Sequence, residues 1–339
     1  MAQADSLGAK LETIRKEQSL PGIAAIVVRD GKTIAVGAAG VRRLGQPETV
    51  TVDNRFAIGS LTKRMTGLMI ARLVDAGKLK FDSTVSELLP EMPMRNEYKK
   101  VTIQQLLDFT GGIPAYERIG PKLTPQLFDL EGTLAERQAK FVKFLLQEMP
   151  SGPAGKEARY SNASYTLLGY IAASVTKKSF EALVEELVAQ PLNLKTAGWG
   201  RPWHPSRPNE PWLHVAGPEG YIAEPDRERP PDQIFMAAGG AHMSIRDLAR
   251  FAQYELDARG GKDALLKPES SKRWHQNAPA SDRAGVMAGG TPALSACYAL
   301  WTAKNQFMVM AVNGGSPGDE ACNAVVRAVE SDAMQQRHK

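Results

Sequence analysis

Residues 56–64 read FAIGSLTKR, and residues 65–79 continue MTGLMIARLVDAGKL. Leu61, Met65, Leu68, Met69 and Leu73 recur at helical spacing, and Gly77 stands where a left-handed stop is needed. The spacing predicts a helix over about 60–76 that opens with Ser60 and Lys63 on one face. Two readings fit this opening. Ser60 is an ordinary N-cap, whose hydroxyl accepts a backbone N–H. Alternatively, it is a nucleophile beside its base. A lysine takes a proton only when neutral, and burial, nearby cations and a helix N-terminus all favour that form.

Upstream of this helix, PGIAAIVVRDGKTIAVGAAGV (21–41) holds two β-rich runs around Asp30-Gly31, a hairpin signal. A helix precedes it, over about 5–18. Downstream, from 81 to 230, the pattern is one of short helices and loops. VTIQQLLDFTGGIPAY (101–116) opens with Thr102 and Gln105 at capping-box spacing. Helical periodicity returns in 134–149 and 163–178. Residues 198–232, rich in Pro, Gly and Trp, read as one long irregular loop. Ser244 and Asp247 repeat the capping-box spacing before IRDLARFAQYEL (245–256). ALSACYALW (293–301) and QFMVMAVNG (306–314) read as adjacent strands, and a final helix follows over about 320–334. The expected fold class is α/β. An antiparallel sheet flanked by helices is built from 1–80 and 231–339, with an all-helical lobe inserted over 81–230.

A chain of 339 residues with 43% hydrophobic and 23% charged residues is globular, as one large or two interleaved domains. The net charge of +5 is spread along the chain, which argues against nucleic acid as a partner. No apolar run is long enough for a membrane span. Two cysteines are too few for a disulfide framework. Cys297 and Cys322 pair only if the last helix packs on the strand carrying Cys297. The opening MAQAD resembles an initiator Met joined to the end of a removed signal sequence, a hint of export to the periplasm or beyond; a cytoplasmic start is the alternative.

Two further stretches carry candidate chemistry. Tyr160-Ser161-Asn162 lies just before a predicted helix. A tyrosine can serve as general base, and an asparagine both donates and accepts. A core tyrosine beside a Ser or Asn cap is the plainer account. In MAGGTPALSACYALW (287–301), glycines precede a strand and permit close approach to backbone N–H groups. The histidines show no metal-ligand spacing, and no GxSxG elbow or phosphate loop exists, so no metal or cofactor is expected. His242 reads as structural, with a place facing the cleft as the alternative.

Taken in order, RFAIGSLTK, VTIQQLLDFTGGIPAY, YSN and AAGGAHMSIRDLARF resemble the serine β-lactamase and penicillin-binding-protein superfamily. The branch is similar to class C β-lactamases, DD-peptidases and family VIII carboxylesterases, over about residues 8–335. The resemblance implies Ser60 as the acylated nucleophile, Lys63 as its proton partner and Tyr160 as base. It implies that Asn162 holds Lys63 and substrate, and that the N–H groups of Ser60 and Gly290 form an oxyanion hole. The third motif, Lys-Thr-Gly or His-x-Gly in the family, falls here on Met287-Ala288-Gly289. Losing a charged hydrogen bond there costs about 1.5–3 kcal/mol, roughly ten- to a hundredfold in affinity for a substrate carboxylate. That points to small uncharged esters or amides rather than β-lactams. Met287, Ala288, Gly289, Tyr116 and Trp212 are the expected substrate contacts, although Tyr116, Trp212 and Trp203 fit equally as packing beneath the pocket. The alternatives are a class C-like β-lactamase or D-alanyl-D-alanine carboxypeptidase and, in another class, a non-catalytic binder or sensor. The sequence is silent on oligomeric state.

Overall fold

A computed structural model describes residues 2–116, 131–224, 233–276, 285–291, 293–315 and 320–335. The chain opens with α1 (Ala2–Glu17), then β1 (Gly22–Arg29) and β2 (Lys32–Gly40). Asp30 and Gly31 between the strands take φ of 52° and 69°, as a tight hairpin turn of the primed type requires. Next come β3 (Arg55–Ala57), a 3₁₀ turn (Gly59–Leu61) and α2 (Thr62–Asp75). Short helices follow: α3 (Val85–Leu88), α4 (Asn96–Lys99) and α5 (Ile103–Leu107). Then come α6 (Leu134–Leu145), α7 (Asn162–Thr176) and α8 (Phe180–Val184). The Thr102–Gln105 box is present in both directions and starts α5 where the spacing puts it.

The stretch from 198 departs from the expected loop. It contains β4 (Gly198–Trp199) and a hairpin of β5 (His214–Gly217) and β6 (Gly220–Ala223), so the middle of the chain is not all helical. The buried His214 explains the hairpin's docking. Its Nε2 accepts from the Leu44 N–H at 3.1 Å, and its Nδ1 donates to the Asn313 carbonyl at 2.8 Å. Residues 225–232 of the expected loop lie outside the described residues.

The last third holds α9 (Met236–Gly239), β7 (Ala241–Ser244), α10 (Ile245–Arg259), α11 (Pro268–His275), β8 (Gly285–Thr291), β9 (Leu294–Trp301), β10 (Gln306–Val312) and α12 (Glu320–Gln335). Ser244 caps α10, but the box is one-sided. Thr196 intervenes: its hydroxyl accepts the Ser244 N–H at 2.9 Å and donates to Asp247 at 2.6 Å.

Five antiparallel strands form the main sheet in the order β2-β1-β10-β9-β8. Ile23 pairs with Val312 and Arg29 with Gln306, so the two ends of the chain meet at the sheet's centre. Every residue of β9 is buried, because both faces of the sheet are covered. One face packs Ile23, Ala25 and Met310 against Leu7, Leu11 and Val325 of α1 and α12. Cys297 and Cys322 join these layers as a fully buried disulfide, with Cα atoms 6.2 Å apart. The other face sends Ala296, Tyr298 and Val309 into a core shared with Met65, Leu68, Leu168 and Phe251. A smaller sheet, β3-β7-β4, delivers the chain to the 3₁₀ turn.

Candidate active site

Gly59 takes φ of +51° and bends the chain ahead of α2. Thr62 fixes the bend: its hydroxyl donates to Gly59 O at 2.7 Å and accepts from Ala241 N at 3.1 Å. The helix itself begins at Thr62, with Leu61 at the cap position and no side-chain capping bond. Ser60 is therefore not the N-cap. Its Oγ lies 2.5 Å from the Tyr160 hydroxyl and 3.0 Å from Lys63 Nζ.

Lys63 is 4% exposed, whereas Tyr160 is 38% exposed. Its Nζ reaches Tyr160 OH at 2.6 Å, Asn162 Oδ1 at 2.8 Å and the Ala238 carbonyl at 2.7 Å. An ammonium has three donors, and these contacts with Ser60 supply four oxygens. Asn162 Oδ1 and Ala238 O can only accept. The remaining protons are therefore shared within the triangle of Ser60, Tyr160 and Lys63. They can be redistributed there without moving a heavy atom.

Neighbouring backbone sets the orientation of this cluster. Ser161, not Asn162, caps α7: its Oγ accepts from Ser164 N at 3.0 Å and donates to Pro114 O at 2.7 Å. Asn162 donates its backbone N–H to Ala115 O at 2.8 Å and its Nδ2 to Tyr116 O at 2.9 Å. The second bond fixes the amide so that Oδ1 faces Lys63.

Strand β8 lies directly against the 3₁₀ turn. A Cβ on Gly289 would sit 2.5 Å from Ile58 O and from Ser60 N. A Cβ on Gly59 would sit 3.2 Å from Gly290 N. Two glycines facing each other thus bring the backbone of Ser60 and Gly290 into one neighbourhood.

The expected substrate contacts are placed differently. The Met287 side chain turns into the core, where its sulfur meets the Tyr298 hydroxyl at 3.0 Å. Ala288 faces the opposite layer, across from Cys297. The Tyr116 ring is buried edge-on against Phe141 and its hydroxyl donates to Glu148; what it gives the cluster is its backbone carbonyl. Trp212 stacks on Trp203 and under the Arg43 guanidinium. His242 is buried, bonds Gly200 O at 3.0 Å, and is pushed down to about 4 by burial. It is structural.

The sequence reading missed two features. Ala238 O anchors Lys63, and a backbone carbonyl has no letter of its own. Arg64, next to Lys63, points away and makes bonds of 2.7 and 2.9 Å to the buried Glu255 of α10. Burial alone would raise the Glu255 carboxyl, but Arg64 and His275 hold it well below the usual range. Among the described residues, no group of side chains is placed to hold a metal, and no helix is long and apolar enough to cross a membrane.

Comparison with known proteins fits this geometry. The model of the beta-lactamase family matches residues 7–322. The chain belongs to that family. The family includes serine hydrolases, among them β-lactamases and esterases. Esterase EstB of Burkholderia gladioli is 30% identical over 282 residues, 73% of this chain and 69% of that protein. Protein flp of Staphylococcus aureus (strain MW2) is 25% identical over 209 residues, and the chain spans 40% of its length. A class C beta-lactamase superposes with TM-score 0.75 at 18% identity, covering 97% of this chain and 96% of that one. The penicillin binding protein of Bacillus halodurans gives 0.74 at 22%, covering 95% and 99%. These two likenesses establish the fold: the beta-lactamase-like α/β architecture.

Proposed function

We propose that this member of the beta-lactamase family hydrolyses small uncharged esters or amides through an acyl-Ser60 intermediate. The observation that carries the reading is the closed triangle of Ser60 Oγ, Tyr160 OH and Lys63 Nζ, at 2.5, 2.6 and 3.0 Å. Ser60 Oγ attacks the carbonyl carbon, and its proton passes to the Tyr160 oxygen, kept anionic by the Lys63 ammonium. The N–H groups of Ser60 and Gly290 receive the oxyanion. The proton then goes to the departing alkoxide or amine. Water attacks the acyl-enzyme, gives its proton to Tyr160, and Ser60 leaves reprotonated.

Substrate preference rests on β8. With Met287 folded into the core, that position offers no cation to a substrate carboxylate. The nearby Arg259 is turned toward Glu255 at 3.6 Å. The esterase named among the relatives supports the same choice. The buried Cys297–Cys322 bridge supports a life in an oxidising compartment, hence export. Division into a sheet domain and a mostly helical lobe over 81–230 is part of the same proposal.

The test pairs intact mass with turnover, using a p-nitrophenyl short-chain ester and a chromogenic cephalosporin. Ester turnover that vanishes in Ser60→Ala, with little cephalosporin hydrolysis, is the expected result. Fast cephalosporin turnover would replace the substrate class with β-lactams. A stable Ser60 adduct without turnover would make the protein a sensor or slow peptidase.

A further inference from the structure

Two aromatic residues beside the Ser60 cluster have left-handed backbones: Phe109 at φ of 60° and Tyr116 at 50°. A bulky side chain at positive φ is strained and persists only where its surroundings over-determine it. These two residues bracket a clamp on the segment that carries Tyr160 and Asn162. Phe109 O accepts the Arg159 N–H at 2.9 Å, and Pro114, Ala115 and Tyr116 accept from Ser161 and Asn162 at 2.7–2.9 Å. The Phe109 ring adds a second grip. Its centroid lies 5.1 Å from the Tyr160 ring and 5.3 Å from the Tyr165 ring. Tyr165 is an immobile backing: it is buried, and its hydroxyl donates to Leu107 O at 3.1 Å. Tyr160, by contrast, is more than a third exposed. Its ring needs a wall if the hydroxyl is to stay between Ser60 and Lys63.

We propose that Phe109 is a positioning residue, whose left-handed backbone turns its ring against Tyr160 and so holds the phenol oxygen in the bridge from Ser60 to Lys63. A right-handed conformation at this position would carry the ring off Tyr160 and break the bond to Arg159 N. The strain is thereby accounted for. The inference rests on Tyr160 as the proton acceptor of the proposed hydrolase.

Phe109→Gly and Phe109→Tyr test it beside the unaltered protein, with active sites counted from the acylation burst. Glycine adopts positive φ freely, so it keeps the backbone clamp and removes only the ring. Expected for Phe109→Gly is a kcat per counted site lower by about ten- to a hundredfold, with KM within about threefold. The acid limb of its pH–kcat profile should move, because the Tyr160–Lys63 pair is no longer held in register. Phe109→Tyr should restore both. The inference is overturned by a Gly variant with the original kcat per site and profile. Fewer active sites with unchanged kcat per site would mean a merely structural role, which overturns it too. If the unaltered protein is never acylated on Ser60, the underlying reading fails first, and the inference with it.

Discussion

Tyr160 and Lys63 touch the same serine hydroxyl from opposite environments, and their substitutions should differ accordingly. Tyr160→Phe removes one oxygen from a partly exposed ring that still packs on Phe109. Stability should hold while kcat falls by about 10²–10⁴-fold, the usual worth of a positioned acid–base group. Lys63→Met should abolish turnover and also destabilise, because Asn162 Oδ1 and Ala238 O lose their buried donor, at about 1–3 kcal/mol. Thermal denaturation of the two variants separates the effects. His242 makes a pH prediction. Burial lowers its pKa from 6.5 to about 4, so the folded state binds its proton less readily than the unfolded chain. Its contribution is fully present above about pH 6.5 and is lost as pH falls towards 4, by up to about 3 kcal/mol. Urea midpoints at pH 7 and 4.5 should fall further in the unaltered protein than in His242→Asn. Much at this scale was legible. Ser60, Lys63, Tyr160 and Asn162 stand in recognisable words of sequence, and the structure brings all four together. Tyr116 and Met287 were harder, since an aromatic or apolar letter does not say which way its side chain turns.

At the scale of elements, what was local was readable. The hairpin at Asp30-Gly31, the cap at Thr102 and the extent of α2 follow from neighbouring residues alone. The short strands β4 to β6 did not show, because two to four residues among prolines and glycines carry no period. They are fixed by distant partners: His242 of β7 pairs with β4, and Asn313 holds His214 of β5. The Arg64–Glu255 pair was hidden for the same reason. It fastens α2 to α10, and Glu255 also receives the Tyr298 hydroxyl at 3.1 Å from β9. Glu255→Gln leaves Arg64 without its buried counter-charge. A loss of about 3–5 kcal/mol is expected, read from the denaturant midpoint. Gly289→Ala tests the contact of β8 with the 3₁₀ turn. A methyl 2.5 Å from Ser60 N has no room, so acylation should fail even where circular dichroism shows an intact fold.

For the molecule as a whole, the two covered faces of the main sheet have separate duties. One carries the Ser60 cluster on its core; the other holds α1, α12 and the Cys297–Cys322 bridge. Replacing both cysteines by alanine should therefore lower stability and spare acylation. The bridge spans a sequence separation of 25, which chain-entropy reasoning converts to about 3.5 kcal/mol. Scanning calorimetry and burst amplitude measured on the same sample decide the matter; a lost burst in a folded variant would contradict it. The cysteine letters alone left pairing open, because only the docking of the last helix decides it.

The pairing of β1 with β10 also governs how the protein is born. The ribosome delivers Ser60, Lys63, Tyr160 and Asn162 long before it delivers Gly289 and Gly290, and the sheet's central seam waits for Gln306–Val312. A nascent chain thus holds Ser60, Lys63, Tyr160 and Asn162 but lacks the strand that closes against the backbone of Ser60. Such distant pairing is slow to form and leaves β1 and β2 exposed meanwhile. The same delay leaves the sheet of the emerging polypeptide open at its centre until the last third of the chain arrives.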